Sequence, residues 1–218
     1  MPRQFYTPDG LHVPFIAAWS SEPLRTTPVV LHHGRGGAGI GYKDEDSDLD
    51  RSTGGVLWVR VPATRGVGEA HLAKVHPLRQ RAAMDRLLCQ VCGEHTYDPR
   101  DKRRLFLLAG GEDRPIREGE RTAAPPVHAP CAQEAIRDCR ALRKGWSAAL
   151  VRSALAWGVA GIVHDPATLQ PLPDRHGDGL DFVGYDDPLI RWTLAHREVV
   201  RLTGVTPITP AELDAMAA

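Results

Sequence analysis

The chain has 218 residues with no formal net charge, a length that allows one ordinary domain plus a smaller module, or one irregular domain. An apolar content of 42% suffices for a core, while 18 prolines and 21 glycines predict long loops and short elements. No apolar run reaches the ~18 residues of a membrane span. The opening MPRQFYTPDG lacks the apolar core of a signal peptide, so the expected location is the cytoplasm.

Residues 11–32 read as short extended runs broken by Pro14, Pro23 and Pro28, with VVLHH at 29–33 as a strand. Gly34-Arg35-Gly36-Gly37-Ala38-Gly39 then matches G-x-G-x-x-G. A dinucleotide site needs that loop to open a helix, and the following IGYKDEDSDLD is a poor helix with repelling carboxylates. The reading is a flexible loop. Asp44, Asp46, Asp48 and Asp50 alternate like calcium ligands, but Leu49 and Gly55 stand where an EF-hand needs Gly and Glu. A solvated acidic loop is expected at 44–50. GGVLWVRV at 54–61 is the best strand candidate, being rich in β-branched and aromatic residues between turn formers.

Pro77 opens a helix predicted to reach Leu88, with Leu78, Ala82, Leu87 and Leu88 sharing one face and Arg79 and Arg86 elsewhere. RLFLLA at 104–109 reads as a strand ended by Gly110-Gly111, and 112–127 as loop. From Pro130 a helix is expected to about Arg143, its apolar stripe formed by Ala132, Ala135, Ile136, Cys139 and Leu142. A short helix at 147–156, a strand at 159–164 and a turn region PLPDRHGDG follow. Asp187-Pro188 suits a helix start, and the helix is expected to reach Thr203 with Leu189, Trp192, His196 and Val199 on one side. Thr209-Pro210-Ala211-Glu212 fits a capping box before a last short helix. The expected class is α+β, with short strands and three or four helices around a zinc module. The expected division is a β-rich region 1–75, a zinc-binding module 76–146 and an α/β region 147–218.

Four cysteines in a chain of this type argue against a disulfide framework and leave metal binding or redox chemistry. A structural zinc takes four Cys or His ligands in a tetrahedron. Cys89 and Cys92 form a C-x-x-C pair in LCQVCGEH, with Gly93 placed for a knuckle turn of positive φ. His128-Ala-Pro-Cys131 repeats the two-residue gap at the start of a predicted helix, where the helix dipole favours a thiolate. The 35 residues between Cys92 and His128 leave room for a β-hairpin and a loop. Knuckle, hairpin and helix N-terminus make a treble-clef layout. Cys131 and Cys139 would lie about 12 Å apart along a regular helix, so one ion cannot take both. Cys139 is therefore read as core and His128 as the fourth ligand, with His95 as its competitor. A thioredoxin-like motif would open a helix, whereas this C-x-x-C follows one.

The stretches VHPLRQRAAMDRLLCQVCG, PPVHAPCAQEAIRDC and YDDPLIRW resemble a group of uncharacterised actinobacterial zinc-binding proteins of the Streptomyces type. That group carries V-H-P-x-R-Q-R-x-A-M running into L-C-Q-V-C, then P-P-V-C-x-x-C-A and a later Y-D-D-P-x-I-R-W. The resemblance spans about residues 54–200. This chain has His128 where the group has cysteine, and histidine ligates zinc equally well, which fits a metal role for the position. The resemblance implies organisation and no particular activity.

The neutral total conceals an asymmetry. Residues 51–150 carry 18 Lys/Arg against 11 Asp/Glu, while both flanks are acidic. Arg137, Arg140 and Lys144 are expected on one helix face, joined by Arg100, Lys102, Arg103 and Arg104 in the hairpin and by Arg79, Arg81 and Arg86. Such a surface suits nucleic acid or an acidic partner protein, unless the acidic flanks neutralise it. A zinc deaminase would need P-C-x-x-C, and the cysteine after Cys131 is eight residues on. An HNH-type nuclease would need catalytic histidines between the ligand pairs, where no Asp-His or His-His pair stands. No nucleophile elbow, P-loop or H-E-x-x-H is present. The leading expectation is a non-catalytic protein with a structural Zn2+ and a basic partner surface. The alternatives are a protein-interaction adaptor with no nucleic acid, or an enzyme with a site near His32 and His33.

Overall fold

The structure is a computed structural model that describes residues 2–25, 27–34, 36–52, 54–97, 101–110, 114–175 and 179–217. In chain order it contains β1 (Ala17–Trp19), β2 (Val29–Gly34), β3 (Gly37–Tyr42), α1 (Ser47–Asp50), β4 (Ala70–Val75), α2 (Pro77–Asp85), β5 (Arg104–Ala109), β6 (Arg121–Thr122), α3 (Ala129–Asp138), β7 (Trp146–Val163), β8 (Asp181–Gly184), β9 (Thr193–Ile208) and α4 (Pro210–Ala217). Single 3-10 turns cover Leu142–Lys144 and Pro188–Trp192. The described residues thus form a mixed α/β chain with four helices. Two sheets have two strands each, β1–β4 and β2–β3, and one has five. Arg35, Arg100 and Gly111 lie outside the described residues.

The centre of the large sheet is not built from short strands. β7 runs 18 residues and β9 runs 16, paired antiparallel from Ala148 opposite Ile208 to Val163 opposite Thr193. The other edge of β7 carries β5 and then β8, while β6 adds to β9. The helix expected at 147–156 is therefore the first half of β7. Its residues pack on both faces: Ala148 and Leu150 join one cluster, Ala149 and Val151 another. A strand buried on both faces shows no polar alternation, and its Ala and Leu then read like a helix. The helix expected at 187–203 also fails. Asp187 does cap a turn, accepting from the Leu189 amide at 2.8 Å, but the turn is 3-10 and ends at Trp192. The β-branched Thr193, Val199, Val200 and Thr203 then lie in β9.

The best strand candidate, 54–61, forms no ladder. It rests along β9 through a parallel bridge between Trp58 and Ala195, with Leu57 bridged to Arg51. Val56, Leu57, Trp58 and Val59 are nonetheless buried. The glycine-rich loop is a tight β2–β3 hairpin in which Gly34 pairs with Gly37. Gly37 needs its φ of +100°, and a Cβ on Gly39 would meet the Arg191 carbonyl at 2.6 Å. The acidic loop is likewise ordered rather than merely solvated. Asp46 caps α1, Arg60 binds buried Asp50 at 2.6 Å and Asp44 at 2.9 Å, and Arg51 binds Glu45 at 2.7 Å. Those carboxylates are neutralised by neighbours in sequence and not by the distant basic helix.

α2 stops at Asp85, and its buried face is not the expected Leu78–Leu88 stripe. Leu78 is exposed, whereas Arg79, Gln80, Ala83 and Met84 are buried. The physical reason is polar bridging. Gln80 exchanges two hydrogen bonds with the Glu198 backbone, each 2.9 Å, and donates to the Ala123 carbonyl. Arg79 clamps buried Glu22 with contacts of 2.7 and 2.6 Å and donates to the Ala17 carbonyl. Arg79 thus belongs to the interior and leaves the expected basic surface. α4 follows its capping box as expected, with the Thr209 amide donating to Glu212 at 2.7 Å and the Glu212 amide returning to Thr209 at 3.3 Å.

Candidate metal centre

The two faces of β5 set the place of the site. Leu105 and Leu107 point toward one cluster with Val127, Ala132 and Ala148, and Phe106 toward the other with Met84. The first cluster includes Cys89 and Val91, and Cys92 and Cys131 pack against it. An apolar wall therefore backs the cysteines.

The knuckle follows from the end of α2. Leu87 takes a left-handed φ of 52°, which turns the chain out of the helix, and Leu88 bridges His95. The Cys89 amide donates to the Glu94 carbonyl at 2.7 Å, and the Gly93 amide returns to the Cys89 carbonyl at 2.8 Å. Gly93 has φ +78°, and a Cβ there would meet the Phe15 ring at 2.7 Å. The turn expected at Gly93 is thus present for two reasons, conformation and crowding. Two further backbone bonds brace the knuckle: Phe15 N–H to the Val91 carbonyl at 2.7 Å, and Gln90 N–H to the Pro126 carbonyl at 3.0 Å.

The second ligand pair sits at the start of α3. His128 occupies the N-cap position, Pro130 the first turn, and Cys131 follows in that turn. The His128 side chain makes no capping bond. Instead its Nδ1 lies 3.4 Å from Cys92 Sγ, and its Nε2 donates to the His95 carbonyl at 3.0 Å. That second bond fixes the tautomer and leaves Nδ1 as the donor atom.

Cys89, Cys92, His128 and Cys131 offer ligand atoms that all lie within 4.8 Å of one another. The edges of a tetrahedron with metal–sulfur bonds of ~2.3 Å are about 3.8 Å, so the donor set fits one ion with little adjustment. The electrostatics fit as well. Hydrogen bonds from Cys131 and Cys92 hold Cys89 far below the usual thiol range as a thiolate. Contact with Cys89 and then Cys92 raises His128 to about 10, and proximity to the same thiols pushes Cys131 upward. A metal ion would displace the protons that His128 and Cys131 hold and leave their donor atoms free to ligate.

Cys139 and His95 are outside the cluster, and both outcomes have causes. His95 contributes its backbone carbonyl to orient His128. Cys139 is not core: it is exposed, because α3 ends at Asp138 and the helical period ends with it, although Leu142 beyond still packs on the core. The same early end removes the shared helix face expected for Arg137, Arg140 and Lys144. All three are exposed, but only Arg137 lies in α3, and it pairs with Asp138 at 2.8 Å. The hairpin expected between the ligand pairs is also replaced. Among the described residues β5 pairs with β7, and Val127 reaches β5 only through one bridge to Leu105. His32 and His33 lie on β2, remote in sequence from the cluster and not part of it.

The interior polar groups Glu22, His76, Arg79, Gln80 and Glu198 were not legible as a set. His76, Arg79 and Gln80 fall within VHPLRQR, so the motif marked them, but their partners are 57 and 118 residues away. No spacing rule connects such positions.

The fold and site define a mixed α/β protein with a Cys3His cluster able to hold a metal ion. Compared with models of protein families, with curated proteins and with solved structures, the chain matches none. No helix among the described residues is long and apolar enough to cross a membrane.

Proposed function

We propose that the chain is a non-catalytic zinc protein of the cytoplasm, in which a structural ion joins the knuckle to the first turn of α3 in a treble-clef-like arrangement. The observation that carries this reading is the convergence of four protein donors, three sulfurs and one nitrogen, within 4.8 Å. A catalytic zinc keeps a coordination position open, whereas four protein ligands close the shell. Zinc supplies no chemistry here beyond crosslinking. The chain's own residues do the positioning: the His95 carbonyl orients His128, and the apolar wall of Val91, Leu105 and Val127 backs Cys89. The actinobacterial resemblance belongs to the same reading, since cysteine at position 128 would complete a four-thiolate version of the site.

The exposed cations beyond α3 are the part that meets a partner, nucleic acid first. Arg140 and Lys144 are exposed and make no ion pair among the described residues, unlike Arg137 and Arg103, which are paired with Asp138 and Asp101. Metal analysis of protein purified without added zinc tests the first half, with about one zinc per chain expected. Binding of a mixed-sequence duplex and a single strand at low and moderate salt tests the second. Charge-driven binding weakens with salt, and Arg140→Gln or Lys144→Gln flattens that dependence by about one unit per lost phosphate contact. Absence of binding at low salt removes nucleic acid and leaves an acidic protein partner.

A further inference from the structure

A cleft of about 560 Å³ lies between the β1–β4 pair and the Ile162–His196 end of the large sheet. That volume suits a small organic molecule, and junctions between substructures are common places for such sites. None of the four metal-ligand residues lines it. His32 and His33 are not on its walls either.

The walls are unbalanced between donors and acceptors. Among the described residues the one carboxylate, Glu22, is fully used: Arg79 takes both oxygens, and the Trp19 and Thr64 amides add bonds of 3.0 and 2.8 Å. His76 is used as well, donating from Nε2 to the Pro62 carbonyl at 2.8 Å and accepting from the Arg79 amide at 3.3 Å. Lys74 and His71 remain. Both line the cleft from β4, and neither has a hydrogen bond or ion pair among the described residues. Lys74 is exposed to the cleft mouth and solvent.

Two more wall nitrogens end without partners, Trp19 Nε1 and His196 Nε2. Trp19 is 6% exposed, and its indole nitrogen can only donate. Burial, with Arg197 adding to it, lowers His196 to about 4, so this ring is neutral near pH 7 and can present an N–H at Nε2. Each such unpaired group costs about 1–3 kcal/mol, a cost that an acceptor bound at the nitrogen would relieve. Leu24 and Ile162 supply apolar surface on the same walls.

We propose that this cleft binds a small organic anion, its carboxylate or phosphate held by Lys74 and His71 and its apolar body lying against Leu24 and Ile162, beside Trp19 and His196. The anion is favoured because Glu22, the carboxylate on the wall among the described residues, is spent on Arg79 and two backbone amides, while the side chains of Lys74 and His71 have no hydrogen bond or ion pair among the described residues.

The test uses full-length, zinc-loaded, nitrogen-15-labelled protein and follows the Trp19 indole N–H resonance, assigned through Trp19→Phe. Benzoate, phenyl phosphate and the neutral benzyl alcohol are the probes. The two anions are expected to shift the resonance saturably at millimolar concentration, with benzyl alcohol weaker by about tenfold. Whichever anion binds tighter identifies the headgroup. Lys74→Gln, a change at an exposed side chain, should weaken the anions by about five- to tenfold and leave benzyl alcohol unchanged. Lys43→Gln, at an exposed residue that does not line the cleft, should change neither. An indole signal that ignores both anions overturns the proposal. So does equal binding of benzyl alcohol and benzoate, or wild-type anion affinity in Lys74→Gln.

Discussion

At His128 a single ring connects the two halves of the Cys3His cluster, Nδ1 toward Cys92 and Nε2 toward the His95 carbonyl. His128→Ala should reduce zinc content well below one per chain, because three ligands and a water make a weaker closed site. His128→Cys should retain zinc, since a thiolate replaces the imidazole at the same helix start. Cys139→Ser should keep the metal and change stability by less than about 0.5 kcal/mol, as expected for an exposed position. Metal analysis of the three variants checks this, and loss of zinc from Cys139→Ser alone would reverse the assignment. A second residue carries pH dependence. Glu198 is buried, and burial raises it to about 7 despite the 2.5 Å bond from the Tyr185 hydroxyl, with Asp85 adding to the rise and Arg81 opposing it. A carboxyl whose folded pKa is raised binds more protons folded than unfolded. Its contribution is therefore fully present below the unfolded value of 4.5 and is lost as pH rises through about 7. Glu198→Gln, which mimics the protonated acid, should be more stable than wild type at pH 8 by on the order of 2–3 kcal/mol and similar to it at pH 4.5. Urea midpoints at the two pH values measure this difference, and a constant offset between the proteins would exclude Glu198 as its source.

The long antiparallel pair of β7 and β9 depends on glycines where strands crowd one another. A Cβ on Gly158 would lie 2.1 Å from the Val183 carbonyl oxygen of β8, and one on Gly161 2.4 Å from the Leu194 carbonyl oxygen of β9. Both glycines sit at register shifts in the β7–β9 ladder. Backbone atoms cannot rotate aside, so Gly158→Ala should cost about 2–3 kcal/mol and free β8. Gly54→Ala, with nothing within 4 Å of its Cβ, should be close to neutral. Thermal melts of the pair give the comparison, and equal midpoints would show that β8 tolerates displacement. Legibility in the sequence divides along the same physical lines. Elements fixed by local chemistry were readable: the Pro77 helix start, the capping box at Thr209, the strand at 104–109 and the Gly93 turn. So was the convergence of Cys89, Cys92, His128 and Cys131, because two-residue gaps around one ion are a local requirement. Elements fixed by distant partners were not. SAALVRSALA has helical propensity and becomes a strand only because β5 and β9 flank it. The end of α3 at Asp138 and the burial of Arg79 against Glu22 have the same origin, contacts that no periodicity encodes.

Across the whole molecule, the Cys3His cluster lies within one core and a second core packs apart from it. The cluster behind Cys89 includes Leu213 of α4 and Ala148 of β7, so the knuckle, α3, α4 and the β5 edge share one core. The N-terminal segment is strapped to the same end: Gln4 donates to the Cys92 carbonyl at 3.0 Å, Phe15 to Val91, and His12 contacts Glu134 of α3 at 3.0 Å. The opposite end is a separate core in which Val56, Trp58, Val159 and Ala195 pack and Arg81 lies 4.5 Å over the Trp58 ring. Removing the metal takes away the binding free energy that the folded state alone receives, and it leaves three thiols and an imidazole crowded without a cation. The loss should be regional. Hydrogen exchange after chelation should rise by more than about a hundredfold at the knuckle, in α3, in α4 and in the N-terminal segment that rests on them. The β7–β9 ladder around Val159 and Ala195 should stay protected within a few fold. Re-addition of one equivalent of zinc should restore the first group. A uniform change along the chain would mean that the sheet transmits the loss and that the two ends are one cooperative unit. No change anywhere would mean that the cluster is held by its apolar wall and that the ion contributes little to the fold.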